Sequence, residues 1–159
     1  MSSVMNAKKR AFTLIELIAV LVVLAVLSGV ALPKYFDYSA RAKSSALQGG
    51  LGGVRSAMAN FFSNSVVEGT TAYPTLVELT TAGTVLMDEM PVNPYNGLSN
   101  VIAATSVEAA ARTVSGTAAG WRYYVDNSAD PPVAIFFANC DDETKVSDGS
   151  GGFKTANEL

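Results

Sequence analysis

Hydrophobic and polar positions divide the chain into two regimes at Pro33. From Phe12 to Leu32 the only polar side chains are Thr13, Glu16 and Ser28. Coiled as a helix at about 1.5 Å per residue, this run spans roughly 31 Å, the thickness of a bilayer's hydrocarbon core. Beyond Pro33 the pattern becomes a stripe. Phe36, Ala40, Leu47, Leu51, Val54, Met58 and Phe61 recur largely at three- and four-residue spacing, with Lys43, Ser44, Arg55 and Ser56 off it. Because the periodicity resumes after the proline, one helix is predicted from about residue 12 to 63, kinked near Pro33 rather than ended by it. Its second half is amphipathic and packs on a sheet. Gly49-Gly50-Leu51-Gly52-Gly53 opposes this, since each glycine costs roughly 1 kcal/mol relative to alanine inside a helix. Either close packing against the sheet holds the helix there, or it loosens.

After Asn64 the chain turns to Ser, Thr, Gly, Pro and Asn with short apolar pieces. Tyr73–Leu79 reads as a one- or two-turn helix, with Pro74 near its start and Gly83 beyond its end. Pro91–Gly97 is turn chemistry, and Val101–Thr105 is a candidate first strand. Ser106–Ala119 is ambiguous between a helical turn at Glu108–Arg112 and a loop. Trp121–Val125 and Val133–Ala138 predict a hairpin across the polar loop Asp126–Pro132. Trp121, Tyr123 and Val125 share one face of the first strand; Arg122 and Tyr124 share the other. The former is expected to cover the long helix rather than offer a stacking platform. The fold class is therefore α+β: a long N-terminal helix on a small antiparallel sheet of about three or four strands.

Composition removes most catalytic options. The 159 residues contain no histidine, the commonest general base and transition-metal ligand. Cys140 is the single cysteine, so it has no intrachain disulfide partner and no zinc-site companions; a buried, apolar role is expected. No P-loop, dinucleotide fingerprint or catalytic carboxylate pair occurs, and the glycine cluster lacks the Lys and Ser/Thr of a phosphate cradle. The chain does not read as an enzyme. Lys8, Lys9 and Arg10 hold three of the 11 basic residues, which leaves eight against 14 acidic ones beyond them. An acidic body is a poor partner for phosphate backbones, so general nucleic-acid binding is not expected. The basic cluster before the apolar run orients it with its N-terminus in the cytoplasm.

Glu16 is the informative residue of that run. A carboxylate there costs on the order of 3 kcal/mol on insertion scales. It either snorkels to the interface or awaits a cation. Cleavage between Ala11 and Phe12 would create one, an α-amino group four residues before the carboxylate. Within one helix the two meet only partly. In a staggered bundle of identical helices, Glu16 of one subunit neutralises the terminus of the next, and desolvation penalises any other register.

The stretch Lys8-Lys9-Arg10-Ala11-Phe12-Thr13-Leu14-Ile15-Glu16-Leu17 resembles the class III signal of type IV prepilins and type II secretion pseudopilins, and Pro33 falls where pilins commonly carry a helix-bending proline. The resemblance covers about the first third of the chain. It implies that a prepilin peptidase cuts between Ala11 and Phe12 and methylates the Phe12 amine. The residue before the cut is usually glycine; here it is Ala11. Residues 1–11 are then the leader, 12–32 the transmembrane and filament-core half of the helix, and 33–159 the pilin-like head. Implied partners are the peptidase, an inner-membrane assembly platform, an assembly ATPase and further copies of the chain. The implied location is the inner membrane as a single-pass precursor, then a periplasmic pseudopilus or a surface pilus. Pro91–Gly97 resembles the segment before the sheet in pseudopilins. Major pseudopilins also carry calcium in a C-terminal loop, which points to Asp141, Asp142, Glu143 and Asp148 in the acidic, Gly/Ser-rich tail; the alternative is a solvated loop. No other cofactor is expected. The competing reading of the N-terminus is a secretory signal cut by signal peptidase I after Ala31, which would release a soluble secreted protein.

Overall fold

The computed structural model describes residues 12–159; the leader, with Lys8, Lys9, Arg10 and Ala11, lies outside the described residues. Helix α1 runs unbroken from Leu14 to Val67 with Pro33 inside it, four residues further than the periodicity predicts. The chain divides into two compact units between Tyr38 and Ser39. The first is the helical segment itself, every residue of which from Phe12 to Phe36 is exposed in the single chain.

The second unit holds the core. Leu47, Leu51, Val54 and Met58 of α1 are buried against Trp121, Tyr123, Phe136 and Ala138. Phe36 and Phe61, expected in that stripe, stay outside it: Phe36 is exposed and Phe61 half-buried. Two polar residues placed off the stripe go the other way. Ser44 is buried, its hydroxyl accepting from Lys145 N at 2.8 Å, and Arg55 reaches the backbone oxygen of Phe136. Their side chains satisfy backbone groups that the packed sheet edge would otherwise leave bare.

Strands β1 (Val101–Ala103), β2 (Trp121–Asp126) and β3 (Val133–Ala138) form one sheet in that order. The predicted β2–β3 hairpin pairs Trp121 with Ala138 and Asp126 with Val133. The sheet is mixed rather than wholly antiparallel, because β1 runs parallel to β2, Val101 opposite Trp121. The connection between them contains helix α3 (Ser106–Ala111), a crossover long enough for a parallel return. That helix resolves the ambiguous stretch and covers the second sheet face, where Ala104, Ala109 and Phe137 are buried together. The buried Arg122 guanidinium pairs there with Glu108 at 2.7 Å. Both faces of β2 are thus covered, and Trp121 and Tyr123 belong to the core as expected. Trp121 Nε1 donates to Pro91 O at 2.7 Å and Tyr123 Oη to Pro74 O at 2.7 Å.

The acidic tail is the largest departure. It folds into a separate hairpin, β4 (Glu143–Ser147) against β5 (Phe153–Thr155). Thr144 is buried and donates to Lys154 O at 2.7 Å, while Gly149 and Gly151 supply the positive φ of the turn. Asn93 is fully buried beside Cys140, its amide donating to Gly120 O at 2.9 Å. Cys140 is buried, and that burial pushes its thiol pKa up.

Thr75 caps helix α2 (Leu76–Thr80) and Thr105 caps α3; in each, the glutamate three residues on accepts from the threonine's own N–H at 2.8 Å. Glu158 accepts in the same way from Thr155 N at 3.0 Å. These bonds to Thr75, Thr105 and Thr155 hold the three carboxyls below the usual carboxylate range, and bonds to Ser128 and Ser150 do the same for Asp126 and Asp148. Their contribution is present above the unfolded-state range near pH 4 and is lost as pH falls through the lowered folded values. The melting temperature of the full chain in detergent should therefore fall increasingly below about pH 4. In Glu78→Gln/Glu108→Gln it should start lower and fall less.

The glycines of α1 do not break the helix, and close packing demands none of the cluster Gly49–Gly53. A Cβ on Gly50 would lie 3.6 Å from Trp121 Cη2, ordinary contact, whereas Gly49, Gly52 and Gly53 face open space. Alanine at each of these three sites should stabilise the folded unit by up to about 1 kcal/mol, read from denaturant midpoints.

Candidate functional site

The start of α1 is built by the same threonine–glutamate device. Thr13 precedes the first helical residue. Its N–H and its hydroxyl both donate to Glu16 Oε2, each at 2.8 Å, and Glu16 N donates back to Thr13 Oγ1 at 3.3 Å. The first backbone donors of a helix lack intrahelical partners and form its positive end, so a carboxylate three residues in is favoured there. Glu16 is exposed, and no described residue bonds its Oε1. The carboxylate thus has one oxygen committed to its own helix, while no described residue bonds the other. The sequence reading placed Glu16 opposite a future Phe12 amine and missed Thr13; the signal was present as Thr-x-x-Glu ahead of an apolar run.

Phe12 is 89% exposed, and the large apolar residues from Leu14 to Leu32 lie between 46% and 75% exposed. The most apolar 18-residue window of α1 has a mean hydropathy of 2.8, and none of it is buried. Length and composition suffice to cross a bilayer. Pro33 sits at the end of this run, inside the helix. Ala11, the other residue of the expected cut, lies outside the described residues.

The four tail carboxylates do not converge. Glu143 opens β4 and pairs with Thr155, whereas Asp148 follows the end of that strand, roughly 16 Å further along an extended chain. Asp148 is occupied by the turn, accepting from Ser150 N at 2.7 Å and Gly152 N at 3.0 Å. Asp141, Asp142 and Glu143 are exposed. Among the described residues no group of three or more His, Cys, Asp or Glu is placed to hold a metal ion.

Comparison with known proteins agrees with the chemistry of this helix start. The family model for the prokaryotic N-terminal methylation motif matches residues 6–32. A type IV major pilin of Neisseria gonorrhoeae is 51% identical over 41 residues, 26% of this chain and 25% of that protein. A fimbrial protein of Neisseria meningitidis serogroup B is likewise 51% identical over 41 residues, 24% of its length. The matched segment spans about a quarter of each relative. No solved structure matches the chain. The chain thus carries the prokaryotic N-terminal methylation motif and is similar to type IV pilins over its first quarter, and the α+β layout described above agrees with the pilin-like fold expected from the sequence.

Thr13→Val keeps the backbone bond to Glu16 and removes the hydroxyl. Amide exchange in the first turn of α1, at Ile15 and Glu16, should accelerate roughly fivefold in detergent micelles, with no change in the second unit.

Proposed function

We propose that the chain is the structural subunit of a type IV pilus-like filament or type II secretion pseudopilus. A prepilin peptidase releases it at Phe12, and it polymerises through its N-terminal helix. The observation that carries this reading is the wholly exposed apolar run Phe12–Leu32, interrupted near its start by a single carboxylate with one oxygen that no described residue bonds. Each large aliphatic side chain left in water forgoes roughly 1.5–3 kcal/mol of burial. Lipid satisfies the run in the precursor; equivalent helices satisfy it in the filament. Only the second setting also supplies a neighbour's terminal amine for Glu16, so the charge pair selects register while apolar burial drives assembly.

Pilins are structural proteins, and nothing in this reading calls for catalysis by the chain. The peptidase, an assembly platform and an assembly ATPase are its partners in this scheme, and the second unit forms the filament surface. The curated relatives favour a surface pilus, because the two compared are a major pilin and a fimbrial protein.

Intact mass of the mature chain tests the processing step. A chain starting at methylated Phe12 is expected, and one starting at Leu32 overturns the proposal. Glu16→Ala should still be cut and membrane-bound while filament yield drops at least tenfold; undiminished yield would remove the register role.

A further inference from the structure

Beside the core, Arg55 in the second half of α1 and Arg112 at the end of α3 converge on a pocket of about 210 Å³ lined also by Met58, Tyr73, Ile135 and Phe136. Arg55 spends its donors on backbone oxygens. Nη2 and Nε lie 2.9 and 3.3 Å from Phe136 O, and Nη1 lies 2.6 Å from Leu159 O. Arg112 ends α3 in the left-handed region at φ 51°, held there by Asn157 Nδ2 donating to its carbonyl at 2.7 Å. Its guanidinium lies 5.7 Å from the centre of the Phe137 ring, and its Nη1 is buried with no partner among the described residues. Among the described residues neither guanidinium meets a side-chain carboxylate.

Two like charges in a partly desolvated setting repel, and a buried guanidinium nitrogen without an acceptor is costly. Burial, and after it the Arg112 charge, push the Arg55 pKa down. One anion accepting from both sides would relieve all of this. We propose that the Arg55–Arg112 pocket is a carboxylate-binding site. The Arg112 guanidinium, helped by the Nη hydrogens that Arg55 has left, fits a planar carboxylate, and the walls of Met58, Ile135 and Phe136 suit the hydrocarbon that carries it. Its volume is below that of a drug-sized ligand site, so the guest is a side chain or a small organic acid. The carboxylate has two possible sources: a free acid, or an acidic side chain on a second copy, whose exposed Asp141 and Asp142 are candidates. The second source rests on the filament reading; the first does not.

The test uses the full chain in detergent micelles, following the Nε–Hε signals of Arg55 and Arg112 by NMR together with the melting temperature. Saturable shifts and a rise in melting temperature with succinate, beyond those with sodium chloride at equal ionic strength, assign a free acid. Shifts that grow with protein concentration and vanish in Asp141→Asn/Asp142→Asn assign the second copy. Arg112→Lys, which keeps the charge and loses the fork, should bind roughly tenfold more weakly in either case. Arg112→Gln should not respond. If these variants fail to fold, the wild-type signals still decide. Arginine signals that answer only to ionic strength, whatever the anion or protein concentration, overturn the proposal.

Discussion

Residues 12–32 cannot rest in water, and that constraint organises everything else about the molecule. A helix this apolar, exposed around its whole circumference, has no apolar partner among the described residues. Its stable environments are a bilayer and a bundle of like helices, and the two differ chiefly in how they treat Glu16. Lipid offers that carboxylate nothing. Its own helix offers the Thr13 N–H and hydroxyl, which satisfy one oxygen. A neighbouring subunit's amine would satisfy the other. In the proposed scheme the capping box would lower the cost of holding the acid in lipid while leaving its second oxygen free of bonds to the described residues.

The same Thr-x-x-Glu arrangement recurs at Thr75, Thr105 and Thr155, where it starts short helical turns in the second unit. These turns are too short to be stable alone. They persist because a local cap and a tertiary contact act together: Leu79 and Ala109 are each 1% exposed. The β2 strand collects the tertiary half of that bargain on both faces, with α1 on one side and α3 on the other. This explains how a three-stranded sheet with one parallel pair is held although its strands are short.

The expectations that held were those resting on strong local periodicity: the long helix, the β2–β3 hairpin with its two-faced alternation, and the burial of Cys140. Three failed for identifiable reasons. The tail read as a loop because its composition is acidic and glycine-rich, yet Thr144 donates to Lys154 on the partner strand and Lys145 N donates to Ser44 on α1, a contact no local window contains. The parallel β1–β2 pairing depends on where the crossover returns, which spacing alone leaves open. Arg55 looked like a solvated residue off the stripe, but its long side chain crosses to the Phe136 and Leu159 carbonyls.

What the sequence by itself determined is the exposed apolar helix with its acid, because continuous hydrophobicity and a capping signature are properties of neighbouring residues and need no fold to be expressed. The tertiary structure alone decided the separation of the tail carboxylates and the meeting of Arg55 with Arg112. The first depends on the tail pairing as the β4–β5 hairpin, and the second on the distance between residues far apart in the chain, set by the packing of α1, α3 and the sheet; no periodicity along the chain encodes either.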